Sequence, residues 1–544
     1  MKKYFPSLIF FLVLISSVKC FGQSGQWVWV RGDTLFGQYT NAALWGVEDS
    51  SYNPDALYLA STFKDSIGRF YIFGGATWDT SWNDHMTSSA LWRYNPVTNL
   101  WALLKFTWDP SGIYGTEGIP DSSNGPGNRF GSTIWEDHLG HIWMFGGGTS
   151  GYSYSDLWKY NIATNNWTWM KGPDHWEIPG VYGFKGISDS INNPSPRREA
   201  VGWVDSDNNL WMFGGFNTYY NIDDQYRNDL WMYNTVTNEW TWQGGDSLVN
   251  SGGASGNKGI PNTIYFPRSR ACTCSWSDDS DNFYLYGGRG GPINYYTLGD
   301  VWRYNRNTKE WTWLSGPLQE DSAGTIGSYC DAQENFFPTT RQQATCVKLD
   351  SSKIFLFGGL DRWWHAQYIS ISNDAWIYDF KQNKWSIVWG DLPIYPGKFG
   401  IQGVYDSTNN PRSRYGAISW KGKAGTVWIY GGDYYVDDRT QGDLWKFTLD
   451  TNCVSFNVAD AIHQPSIDAN IFPNPAHNSF QLTFPSSNKN STLTIYNLFG
   501  EKIFSQKLNG EKEIEVDISK FAAGVYVVEI NSSQQHFISK LIKQ

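Results

Sequence analysis

Residues 194–242 read PSPRREAVGWVDSDNNLWMFGGFNTYYNIDDQYRNDLWMYNTVTNEWTW. Four short runs rich in aromatic and aliphatic residues are separated by Asp-Ser-Asp-Asn-Asn, by a polar loop and by Thr-Asn. This alternation predicts four antiparallel strands, a to d, joined by turns. Strand a follows Pro194-x-x-Arg197, strand b ends in Gly214-Gly215, strand c carries Trp231-x-Tyr233, and strand d carries Trp240-Thr-Trp242. The glycine pair recurs as Gly74-Gly75, Gly146-Gly147, Gly287-Gly288, Gly358-Gly359 and Gly431-Gly432, at steps of 68 to 73 residues. A period this regular means that one supersecondary unit is copied six times and that neighbouring copies bury each other's faces.

Each glycine pair acts as a ruler for its copy. The position 17 residues before the first glycine holds Arg129, Arg197, Arg270, Arg341 and Arg414, with Leu57 in the first copy. Proline stands three residues earlier in all six. Downstream come Trp92, Trp158, Trp231, Trp302, Trp376 and Trp445, and nine residues later Trp101, Trp167, Trp240, Trp311 and Trp385. Only the b-to-c loop changes length within this frame, from 12 to 18 residues between glycine and tryptophan.

The glycine pair after strand b and the Trp/Tyr on strand c resemble the signature of Kelch-repeat β-propellers, the family that includes the galactose oxidase central domain. The likeness covers about residues 26–457 and implies an all-β, six-bladed propeller. The copies are longer than the common Kelch unit because the d-to-a connection carries an insertion, as in GVYGFKGISDSINNPSPR. The segment QWVWVRG at 26–32 matches strand d, and Val454 replaces the expected tryptophan in the last copy. The N-terminal strand is therefore expected to complete the sixth blade and close the ring.

The ends of the chain carry addresses. Lys2 and Lys3 precede an apolar stretch from Phe5 to Val18, which reads as a secretory signal peptide over 1–22. The propeller is assigned to 23–457 and a linker to 458–469. Residues 470–544 lack tryptophan and alternate apolar and polar residues, which predicts a small β-sandwich. Its Pro-Asn-Pro start, Asn-Leu-Phe-Gly turn, Ala-Gly-Val-Tyr run and basic end resemble the type A C-terminal sorting domain of the Bacteroidetes type IX secretion system. That resemblance implies the type IX machinery as a partner and a secreted or surface-attached destination. No transmembrane segment is expected after signal removal.

Aromatics and charged residues each make up 17% of the chain and the net charge is -10, without a basic stripe, which argues against nucleic acid. Removal of the leader leaves Cys272, Cys274, Cys330, Cys346 and Cys453, an odd count. Cys272 and Cys274 are expected on one strand face, with Cys330 able to reach a strand cysteine. His138 and His141 are expected in a turn, as are the acidic Asp205-Ser-Asp207 and Asp279-Ser-Asp281. No zinc spacing, phosphate loop or hydrolase motif is present, and no metal or cofactor is expected.

Function is expected on the face where the b-to-c and d-to-a loops emerge, because variable loops on an invariant scaffold suit recognition. The candidate ligand-binding residues are Trp78, Trp82, Tyr152, Tyr154, Tyr219, Tyr220, Tyr226, Tyr295, Tyr296, Trp363, Trp364, His365, Tyr434 and Tyr435. Their rings suit stacking on sugars or anchoring of a protein partner, or else packing between blades. Arg129, Arg197, Arg270, Arg341 and Arg414 are placed at the channel mouth with a structural role, anion binding being the alternative. The Kelch resemblance also admits a carbohydrate-active enzyme, an oxidase or a sialic-acid mutarotase.

Overall fold

A computed structural model describes residues 25–34, 44–79, 84–217, 225–290, 296–362, 369–390, 396–434, 439–450, 453, 470–483, 491–497, 502–531 and 536–544. Residues 1–24, most of 451–469 and several short internal segments fall outside these. The described chain is β-structured and forms six four-stranded antiparallel blades. The third, for example, runs outward from Val201–Val204 through Leu210–Phe213 and Leu230–Asn234 to Glu239–Gly244. Each innermost strand touches the innermost strands of the blades on either side, so the ring is continuous. The N-terminal strand Gly25–Arg31 is the outermost strand of the sixth blade, paired with Leu444–Leu449.

The glycine pairs are the joints between blades. Both glycines adopt left-handed backbone, φ +70° and +90° at Gly214 and Gly215. The second donates its N–H to the carbonyl at the arginine position of the next blade: Gly75 to Arg129, Gly147 to Arg197, Gly215 to Arg270, Gly359 to Arg414 and Gly432 to Leu57, at 2.8–3.0 Å. The first lies so close that a methyl group on Gly214 would stand 2.6 Å from that carbonyl oxygen. Only glycine meets both demands.

A second ring lies on the axis. Leu59, Gly131, Glu199, Cys272, Gln343 and Gly416, two residues after each arginine position, all have φ between +52° and +66°. Each donates its backbone N–H to the carbonyl of the preceding member, and Leu59 donates to Gly416, which closes a circle of six hydrogen bonds of 2.6–3.1 Å. Gln343 Nε2 also donates to Glu199 Oε2 across the channel at 2.9 Å. Cys272 thus sits in a left-handed turn before the strand Cys274–Ser277, and the shared strand face expected for Cys272 and Cys274 does not form.

Blade cores are aromatic. Trp101, Trp167, Trp240, Trp311 and Trp385 are fully buried, as are Trp158, Trp231, Trp302, Trp376 and Trp445. The d-to-a insertion is not a free loop: it runs along the outermost strand of the next blade. Asp121 bridges Trp167, Ser188–Asp189 pairs with Trp240–Thr241, Asn262 bridges Trp311 and Gln333 bridges Trp385. A left-handed residue fixes each crossing, with Gly118, Gly186, Gly259 and Gly403 donating to Trp169, Trp242, Trp313 and Trp29. The insertions therefore cover outer strand edges that would otherwise invite pairing with another chain.

Cys330 occupies that glycine position in the fifth blade and forms a disulfide with Cys453, just past the last propeller strand. Its partner is thus not a strand cysteine, because the insertion carries Cys330 to the rim. Residues 470–544 form a separate sandwich of a three-stranded and a four-stranded sheet. Phe480, Leu482, Leu493, Ile495, Val516, Val528, Ile530 and Leu541 fill its core.

Candidate functional site: the loop face at the channel mouth

The five arginines are buried structural ties. Each guanidinium grips the carboxylate before strand c bidentately, as with Arg129 on Asp156 (2.8 and 3.0 Å) and Arg414 on Asp443 (2.7 and 2.9 Å). Arg197, Arg270 and Arg341 hold Asp229, Asp300 and Asp374 the same way. Nη1 of each arginine also donates to the carbonyl of the first glycine of its own blade. The strand-c tryptophan completes the triad, with Trp158 Nε1 donating to Asp156 at 2.7 Å. All five arginine side chains are fully buried, so they present no anion site at the mouth. Burial opposes ionisation of Asp229 and Asp300, but Arg197 and Arg270 overcome it and hold both below the usual carboxylate range.

The first blade lacks this tie and lacks both ends of it. Leu57 replaces the arginine and Ala90 the aspartate, and the two join one apolar cluster. A buried charge left without its partner would cost several kcal/mol, so loss of both together is the tolerable change.

The mouth is built by the residue after each arginine position: Tyr58, Phe130, Arg198, Ala271, Gln342 and Tyr415. Each pairs with the start of the hairpin that follows a glycine pair, as Tyr58 with Ala76 and Tyr415 with Asp433. Tyr58 lies 6.2 Å from Tyr415 and 6.1 Å from Phe130, ring to ring. Arg198 continues the arc over the rings of Phe130 and Phe216, and Arg289 lies over Phe216 and Tyr226. Tyr58 Oη shares a hydrogen bond with His85 Nδ1 at 3.0 Å, and Trp78 meets the His85 ring edge-on. Tyr415 Oη donates to Asp433 at 2.8 Å. Burial holds the carboxyl of Asp361, on the fifth hairpin, above its usual range.

Of the aromatics singled out by sequence, Trp78, Tyr152, Tyr296 and Tyr434 are half-buried on this face. Tyr152 stacks on Trp176, which is 41% exposed, at 4.6 Å. Tyr154 and Tyr226 are buried and pack the hairpin bases, so they are not ligand-facing. Trp82, Tyr219, Tyr220, Tyr295, Trp363, Trp364, His365 and Tyr435 lie outside the described residues. Sequence reading missed Tyr58, Phe130, Arg198, Tyr415 and Trp176. The signal for the first four was their fixed place after the arginine position.

The opposite face holds the histidine and acidic turns. His138 Nε2 bonds the Asp205 carbonyl at 2.8 Å and His141 bonds Asp137, so the two rings serve different partners. The Asp205 carboxylate accepts from Asn209 and Trp211, and Asp281 from Ser206 and Arg306. Among the described residues no group of three His, Cys, Asp or Glu side chains is placed to hold a metal. No described helix is long and apolar enough to cross a membrane.

Comparison with known proteins agrees with this architecture. The family model of the secretion system C-terminal sorting domain matches residues 470–544, and that of the Kelch motif matches 350–388. The chain is 24% identical over 304 residues to Kelch domain-containing protein 10 of Bos taurus and of Homo sapiens, covering 48% of this chain and 60% of each relative. It is 33% identical over 72 residues to an endo-acting ulvan lyase of Formosa agariphila, covering 13% of this chain and 14% of the lyase. The chain thus spans 60% of the Kelch relatives and 14% of the lyase, in each case less than two thirds of their length. The repeats, the closed ring of sheets and the C-terminal match make the chain a Kelch-repeat β-propeller carrying a type IX sorting domain, a protein for secretion or attachment to the cell surface.

Proposed function

We propose that the propeller is the recognition module of this exported protein and that its loop face binds a glycan or a protein partner. A group of half-buried side chains, Trp78, Tyr152, Arg289, Tyr296, Tyr415 and Tyr434, with the exposed Trp176, carries this reading, and it rests on a packed floor of buried Tyr58, Phe130, Arg198 and Phe216. It sets aromatic faces and cations where six hairpins of unequal length converge. Hydrophobic rings with adjacent hydrogen-bonding groups favour partners that offer an apolar face and a polar edge. Glycan-array and pull-down binding by the full chain tests it, with Trp78→Ala and Trp176→Ala as probes. A drop of about tenfold or more in either variant supports the reading, whereas unchanged binding in both moves the site elsewhere.

A further inference from the structure

The repeat supplies its own control for a second site. Where an insertion crosses the outermost strand, an aromatic ring four residues before the crossing glycine covers the indole beneath. Tyr114 lies 5.3 Å from Trp169, Tyr182 lies 5.2 Å from Trp242, and Phe399 lies 5.3 Å from Trp29. In the fourth blade the crossing glycine is Gly259, and the residue four before it is Ser255. Among the described residues no ring stands on Trp313.

Beside Trp313 the rim opens into a cleft of about 630 Å³ between the insertions of the fourth and fifth blades. Trp313, Pro317, Leu318 and Phe337 form its apolar surface, with Lys258 on one wall and Glu334 on the other. Both charged residues are exposed and have no ion-pair partner among the described residues. The volume falls within the range of small-ligand sites.

We infer that this cleft is a saccharide-binding site on the outer rim, distinct from the loop face, and that it takes a neutral oligosaccharide. A pyranose has an apolar C–H face that matches a half-buried indole, and a ring of hydroxyls that both donate and accept hydrogen bonds. Glu334 accepts and Lys258 donates, and their opposite signs leave the cleft without a net charge preference, which disfavours a polyanion.

Calorimetric titration of the full chain with neutral hexasaccharides of β-1,4-linked glucose, mannose and xylose, and with a sulfated galactan oligosaccharide, tests this. At least one neutral probe is expected to bind, with affinity falling about tenfold or more in Trp313→Ala and measurably in Glu334→Ala, while Val236→Ala, exposed in a c-to-d turn away from both sites, leaves it unchanged. Glu334 lies on the surface, so its variant decides the matter if Trp313→Ala fails to fold. The inference is overturned if no neutral probe binds, if only the sulfated probe binds, or if affinity follows Trp176 and ignores Glu334. The last result would leave the loop-face reading standing while removing this one.

Discussion

Gly432 donates its backbone N–H to the carbonyl of Leu57 at 2.8 Å, and through this bond the sixth blade holds the first. The same joint recurs around the ring, with the preceding glycine pressed against the same carbonyl. Substitution at a joint therefore meets backbone strain and a steric clash together. Gly214→Ala is expected to destabilise the propeller by about 2 kcal/mol or more. Gly140→Ala, also left-handed but in open space, should cost only about 1 kcal/mol. Denaturant unfolding of the two variants checks the difference, and equal costs would remove the joint's special role.

The buried Arg–Asp ties behave as units. Arg414→Leu leaves Asp443 charged and buried, and is expected to cost about 3–5 kcal/mol. Adding Asp443→Ala, which reproduces the Leu57/Ala90 arrangement of the first blade, should recover part of that loss. A double-mutant cycle by equilibrium unfolding gives the coupling. Additive costs would contradict the pairing.

Acid should loosen the ring through these same carboxylates. Asp229 and Asp300 lie below the ordinary value of 3.8 when folded, so the unfolded chain binds protons first as pH falls. Their contribution is complete above about pH 5 and is lost as pH drops through the lowered folded values. Melting temperature followed from pH 7 to pH 2 should fall steeply below about pH 4, and less steeply in a variant carrying Arg197→Leu with Asp229→Ala.

Most of the fold was legible because each copy spells the same constraint. A glycine pair at a joint and an arginine 17 residues upstream are forced by local geometry, so they survive in sequence. The outer insertion was not legible as structure: its paired segment in the third blade is only Ser188–Asp189, too short to show an alternating pattern. The partner of Cys330 was hidden for the same reason, since a cysteine there replaces the glycine of other copies. At the loop face, sequence counted aromatics but could not tell Tyr154, buried at a hairpin base, from Tyr152 beside it, stacked on Trp176. That distinction depends on which way a hairpin turns.

Removing the Cys330–Cys453 link should weaken one region first. The two cysteines lie 123 residues apart, and Cys453→Ser is expected to lower stability by about 2–4 kcal/mol. Hydrogen exchange should then rise in Leu444–Leu449 and Gly25–Arg31 before it rises in the second and third blades. Uniform loss of protection would argue against a seam.

That seam also has a mechanical meaning. Residues 470–544 are the handle by which the chain is exported, and tension applied to a handle enters the ring at Cys453. Without a crosslink it would peel Leu444–Leu449 away from Gly25–Arg31, bond by bond. With Cys453 bolted to Cys330, the pull passes into the rim of the fifth blade and loads two blades in shear. A pull on the C-terminal domain would thus meet the described ring where a covalent rivet already holds it.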